Sequence, residues 1–210
     1  MAVLKLKRWQ LQKAVRFVPA LGLIYVNNAK VACTSTKGAL WKRSDEVLGC
    51  NTFPGRNPHV IEGAPWDGIF DCDKQMLLSA KIFTIVRDPH ARLLSVYLSR
   101  FRERRSALPP HLEKRRTPGH FSKWYDRHIG DRPTNFPEFV RDIVKVPENA
   151  RDQHVRPQWI NILWPYVKFD FVGRMEEMDE VDRFLGAYGV KSEYWRGNVT
   201  NAANKRGRVL

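Results

Sequence analysis

The sequence is poor in cysteine. Cys33, Cys50 and Cys72 are an odd number in 210 residues, and no two stand in a Cys-x-x-Cys pair, so neither a disulfide framework nor a zinc site is expected. Reduced thiols in an intracellular compartment follow. Long apolar runs are missing too: Leu21–Val26 is far short of the roughly 20 apolar residues a membrane span needs. Met1 to Lys13 is basic but has no clean apolar stretch with a small-residue cleavage site, so the chain reads as cytoplasmic. An amphipathic anchor over Leu4–Phe17, giving weak membrane-surface association, is the alternative. No internal repeat or domain boundary is visible, and residues 1–210 read as one domain. No Gly-Lys-Ser/Thr closes a glycine-rich loop, which removes the ordinary nucleoside-triphosphate cradle. Acidic residues are few, 22 against 36 lysines and arginines, for a formal charge of +14. A field of that sign favours an anionic ligand or polymer without naming it.

What is present alternates between two periodicities. Leu21–Val26, Lys81–Val86 and Lys168–Val172 are short apolar runs of strand character, the last ending at Gly173. Leu40, Trp41, Val47 and Leu48 predict a helix from about Ser35 to Leu48, and Leu93, Leu94, Tyr97, Leu98 and Phe101 predict another. A third is expected over Phe136–Val144, with Asn135 near its start and Pro137 in its first turn, and a fourth around Met178, Val181 and Leu185. Asn51 to Gly68 reads as loop, with His59-Val60-Ile61 a short extended piece inside it. Strands alternating with helices point to an α/β layered fold with a mostly parallel central sheet.

Two strand ends carry the chemistry. After Leu21–Val26 comes a polar loop with Lys30, then Thr34 and Ser35, good capping residues, before the helix. A helix start offers unpaired N–H donors and a positive dipole end, and a neighbouring lysine adds a full charge, so this is an anion-cradle layout. The second strand ends at Arg87; Asp88-Pro89 starts a helix on which Arg92 and Ser95 share a face. A guanidinium at Arg87 and the Ser95 hydroxyl could converge on one phosphate. The plainer reading is that Asp88 caps the helix and the arginines are solvated. Two such sites in one α/β domain suggest a ligand with phosphates at two ends.

Lys30-Val31-Ala32-Cys33-Thr34-Ser35 resembles the 5′-phosphosulfate loop of the carbohydrate sulfotransferases. Val86-Arg87-Asp88-Pro89 through Arg92-Leu93-Leu94-Ser95-Val96-Tyr97 resembles their 3′-phosphate motif. The similarity is to the branch whose Golgi members sulfate chondroitin, dermatan and related glycans, and His59-Val60, Asp152-Gln153-His154 and Phe169–Glu176 extend it in order. The resemblance implies a three-layer, P-loop-like sulfotransferase fold, its mostly parallel central sheet flanked by helices. It implies 3′-phosphoadenosine 5′-phosphosulfate as co-substrate, no metal, and in-line transfer of a sulfuryl group to an acceptor hydroxyl on a glycan. Lys30 and the loop Val31, Ala32, Cys33, Thr34 and Ser35 would hold the 5′-phosphosulfate, and Arg87 and Ser95 the 3′-phosphate. Lys30 would also neutralise charge on the bridging oxygen.

The base that takes the acceptor proton is expected to be a histidine. His59, between the motifs, is the first choice and His154 the second, with Asp67 and Glu62 as alternative bases or orienting groups. The chain departs from the Golgi enzymes in having Leu163-Trp164-Pro165-Tyr166 where they carry a cysteine-proline-cysteine cluster, and in lacking their membrane anchor. Both departures suit a reducing cytoplasm, bacterial rather than secretory. Cys33 as a phosphatase nucleophile would need an arginine where Gly38 and Ala39 stand; a hydrolase pairing Cys33 with His59 or His154 is a minor rival. The non-enzymatic alternative is a nucleic-acid or polyanion binder, prompted by the charge and by Arg100–Arg116, which holds seven basic residues and two acidic ones. No specific nucleic-acid signature accompanies that run.

Overall fold

The computed structural model describes residues 14–53, 73–102, 120–130 and 135–194. In chain order they form strand β1 (Val15–Val18), a 3₁₀ turn at Pro19–Leu21, β2 (Leu23–Val26) and helix α1 (Cys33–Leu48). Helix α2 (Lys74–Ser79), β3 (Lys81–Val86), α3 (Pro89–Tyr97) and a π-helical turn at Leu98–Arg102 follow. The rest is α4 (His120–His128), α5 (Phe136–Lys145), α6 (Gln158–Asn161), β4 (Phe171–Arg174) and α7 (Met178–Gly186). Two compact units result: Met1–Asn27, Ala32–Val86 and Lys168–Leu210 make the first, and Asn28–Val31 with Arg87–Val167 the second.

The first unit is built on a four-stranded sheet in the order β1-β2-β3-β4. β2, β3 and β4 are parallel, and β1 pairs antiparallel to β2 with Val15 opposite Val26. The strand at Val15–Val18 is not among those the apolar runs predict; all four residues are buried, and Pro19–Leu21 with Gly22 in a left-handed conformation (φ 59°) turns the chain back into β2. That turn also moves the start of the second strand from Leu21 to Leu23. Phe83 on β3 is fully buried, with Tyr25 stacked at 5.1 Å and Phe184 of α7 at 5.5 Å. Burying a side chain of that size contributes about 1.5–3 kcal/mol.

β4 begins and ends later than its apolar pattern suggests, because Asp170 is used as a clip. Its carboxylate accepts from the Ile82 N–H and the Lys81 ammonium, both at 2.9 Å, and the strand register starts only at Phe171 opposite Phe83. Gly173 therefore lies inside the strand. A Cβ there would stand 2.5 Å from Val181 Cγ2, so glycine is what lets α7 approach. α7 seats Phe184 on Phe171, the rings stacked at 4.3 Å.

The second unit has an aromatic core. Val96, Phe121, Trp124, Tyr125, Phe139, Ile143, Val146 and Val155 are buried together, with Leu93, Tyr97 and Phe101 packed against them. Sequence signals for two of its helices hold: Asp88 accepts from Ala91 N–H at 2.7 Å to start α3, and Asn135 from Glu138 N–H at 2.9 Å to start α5. Among the described residues no helix is long and apolar enough to cross a membrane.

Candidate active site

In the first unit, α1 starts at Cys33, two residues earlier than its apolar pattern predicts. Its N-cap is Ala32, in a left-handed conformation (φ 60°) with no side-chain cap, so Thr34 and Ser35 are inside the first turn and do not cap it. Cys33, Thr34 and Ser35 are half-buried, and Thr36 N–H makes the first bond back to Ala32 O at 2.9 Å. The N–H groups ahead of Thr36 have no acceptor within the helix. One turn further, Lys37 is 2% exposed, and burial pushes its pKa down to about 8, with the Cys33 sulfur opposing and Arg16 reinforcing that shift.

The second unit gathers most of the remaining candidates. Lys30 adopts φ 66°, a conformation that L residues seldom take. Its ammonium donates to Ser99 Oγ at 2.5 Å, and its carbonyl accepts from Arg87 Nη1 at 3.4 Å. Ser95 is half-buried on α3, and among the described residues no hydrogen bond joins it to Arg87.

Arg92 is not solvated, contrary to the plainer reading of its helix. It is 3% exposed, and its guanidinium donates to three backbone carbonyls: Nε to Ala29 at 2.8 Å, Nη2 to Gln153 at 2.8 Å and Nη1 to Arg156 at 3.0 Å. A second set of bonds runs beside it. Gln158 Oε1 accepts from Asn28 Nδ2 and Arg87 N–H at 2.9 and 3.0 Å, while its Nε2 donates to Arg87 O at 2.7 Å. Asn161 Nδ2 donates to Gln153 O at 2.8 Å.

These bonds hold the loop of Lys30 and the turn of His154. Asp152, 6% exposed, points one carboxylate oxygen at His154, accepting from its N–H at 2.9 Å and its Nδ1 at 2.5 Å. A carboxylate can only accept, so Nδ1 carries the proton and Nε2 keeps its lone pair. Arg100 Nη2 lies 3.4 Å from that Nε2, its guanidinium over the Phe121 ring at 5.7 Å. Burial pushes the His154 pKa below its usual value, Asp152 pulls it up, and Arg100 and Lys30 push it down, leaving it lowered. The imidazole is thus neutral near pH 7. Burial would raise the Asp152 pKa, but the bonds and charge of His154 outweigh it and hold the carboxyl below its usual range. His120 Nδ1 reaches the other Asp152 oxygen at 3.3 Å.

The arrangement can accept a proton at His154 Nε2 beside two cations. His59, the first choice for that role, lies outside the described residues, as do Glu62, Asp67, Cys72 and most of Arg100–Arg116. No local sequence pattern assigns Arg92, Gln158, Asn161 and Asp152 the partners they have in the structure. A signal was available for two of them: Gln158 and Asn161 are amides set among Trp159, Ile160, Ile162 and Leu163, where a polar side chain needs partners.

The first unit is thus an α/β unit on a mixed sheet, and the second carries a half-buried histidine, its pKa lowered, beside lysine and arginine. The chain belongs to the sulfotransferase family, whose family model matches residues 14–201. It is therefore a sulfotransferase, an enzyme of sulfuryl transfer. No curated protein and no solved structure matches it.

Proposed function

We propose that this sulfotransferase moves a sulfuryl group from 3′-phosphoadenosine 5′-phosphosulfate to a hydroxyl on a carbohydrate, with His154 as general base. The observation that carries the reading is the Asp152–His154 pair, its Nε2 unprotonated and its pKa lowered, in the same unit as Lys30. Within the second unit the donors suit an anionic nucleotide: Lys30 in its polar loop and Arg87 at the head of α3, its Nη1 3.4 Å from the Lys30 carbonyl. In the proposed reaction the acceptor oxygen attacks sulfur in line as the bond from sulfur to the bridging phosphate oxygen breaks. His154 Nε2 takes the acceptor proton, and Asp152 stabilises the imidazolium that forms. Lys30 neutralises the charge appearing on the departing phosphate, which needs no metal. Lys30 and the main chain of Val31, Ala32, Cys33, Thr34 and Ser35 bind the 5′ end, and Arg87 and Ser95 the 3′-phosphate. The same proposal includes the P-loop-like ancestry of the fold, a glycan acceptor that the cationic surface would favour if anionic, and a bacterial cytoplasmic setting.

The test is calorimetry with 3′-phosphoadenosine 5′-phosphate against AMP, followed by a screen of glycan, phenol and lipid acceptors with labelled donor. Tight binding that prefers the 3′-phosphate and weakens in Lys30→Ala and Arg87→Ala is expected. Equal affinity for AMP, or salt-steep binding of random duplex with no nucleotide preference, would favour the polyanion-binding alternative and overturn the reading.

A further inference from the structure

We infer that Arg92 is the positioning residue that sets the place of His154 relative to Lys30, by holding their two backbone segments with one buried guanidinium. Ala29, whose carbonyl takes Nε at 2.8 Å, immediately precedes Lys30. Gln153 and Arg156, whose carbonyls take Nη2 and Nη1 at 2.8 and 3.0 Å, flank His154 in sequence. Arg92 itself is buried at 3% exposure on α3, behind the Asp88 cap that fixes the start of that helix. The fork of a guanidinium is planar and rigid, so three bonds made in three directions define a fixed spacing that an ammonium on a flexible stem cannot reproduce. The charge is also far from idle: a cation directed at carbonyl oxygens makes charge-assisted bonds, stronger than the neutral amide bonds beside it. Lys30 is close enough to His154 to lower its pKa, so their separation has a reporter inside the protein. Among the described residues, Asp152, Arg100, Lys30, His120 and Arg156 are charged or titratable groups around that imidazole and its carboxylate.

The inference rests on His154 and Lys30 acting together in the proposed reaction, and its first readout does not depend on that reaction. The experiment compares wild type with Arg92→Lys and with Ile143→Val, a core change in the same unit that leaves the clamp alone. Folding is followed by thermal melting, His154 by ¹H–¹⁵N NMR titration, and turnover and affinity for 3′-phosphoadenosine 5′-phosphate by steady-state kinetics and calorimetry. In Arg92→Lys the His154 titration should move up towards the ordinary imidazole range as the turn loosens from Lys30. The turnover number should fall roughly 100-fold, the scale of an ångström of misplacement, with nucleotide affinity kept within about threefold of wild type. Ile143→Val should shift the melting temperature without moving the titration. An unmoved His154 titration in Arg92→Lys overturns the inference, as does a titration moved equally by Ile143→Val. A loss that falls on nucleotide affinity with turnover unchanged also overturns it, because Arg92 would then be a ligand contact. Absence of turnover in wild type with the titration shift present would refute the proposed function and leave the clamp standing.

Discussion

Replacing Asp152 by asparagine probes the proposed base most directly. One Asp152 oxygen accepts from both the N–H and the Nδ1 of His154, at 2.9 and 2.5 Å. The amide oxygen of asparagine can occupy that place, so the tautomer with Nε2 free survives. What is lost is the negative charge beside the imidazolium that forms when the acceptor proton arrives. A hydrogen bond to a charged group contributes about 1.5–3 kcal/mol against about 0.5–1.5 for a neutral one, leaving a deficit of roughly 1–2 kcal/mol. At about 1.4 kcal/mol per factor of ten, turnover should fall about 5- to 30-fold. Asp152→Ala removes the orientation as well and should cost more, within the roughly 100- to 10,000-fold that positioned proton transfer supplies. Because Asp152 raises the His154 pKa against burial, its neutral replacement lets that pKa fall further. The acid limb of kcat/KM should therefore move to lower pH. Steady-state kinetics across pH, with nucleotide affinity measured separately, decides it. Turnover unchanged within twofold, or an acid limb moving upward, would refute the role of His154, and a loss in His59→Ala with none in His154→Gln would return the base to the loop between the motifs.

Further expectations follow from other contacts. Lys30→Ala should weaken binding of 3′-phosphoadenosine 5′-phosphate by about 10- to 100-fold, as the loss of a charge-assisted bond implies; calorimetry reads it, and an unchanged Kd removes Lys30 from the donor site. Gly173→Ala places a Cβ 2.5 Å from Val181 Cγ2 and should destabilise by about 1–3 kcal/mol. Adding Val181→Ala should recover part of that loss, and strictly additive melting shifts would refute the clash. Stability should also decline in acid. His154 has a lowered folded pKa, so as pH falls through the ordinary imidazole range the unfolded chain takes up a proton that the folded one refuses. Asp152, also lowered, contributes stability above its unfolded pKa that is lost as pH falls through its folded one. Urea midpoints against pH should show the first decline blunted in His154→Gln, and an identical profile would contradict it.

Local signals were legible wherever a residue acts through its immediate neighbours. β3 runs from Lys81 to Val86 as its apolar run predicts. Asp88 and Asn135 cap the helices they precede, because an N-cap bond spans three residues. Signals failed where a distant partner decided the outcome. Val15–Val18 is a strand because β2 offers it an edge, and Thr34 and Ser35 do not cap because the left-handed Ala32 starts α1 before them. Gly173 looked like a strand end and is instead the gap into which Val181 packs.

By itself, the sequence determined the alternation of strands and helices, the cationic charge, the positions of Lys30 and Arg87 at strand ends, and the family. Each is carried by composition or by residues a few positions apart, within reach of periodicity and capping. Only the tertiary structure decided which partners those residues have. Arg92 reads as a surface arginine on its helix, yet it reaches carbonyls 61 to 64 residues away along the chain. The lowered pKa of His154 arises only in the folded chain, where burial first, then Arg100 and Lys30, outweigh the opposing pull of Asp152. Hydrogen bonds and charges act through space, and the chain supplies no local period by which such pairings could be read.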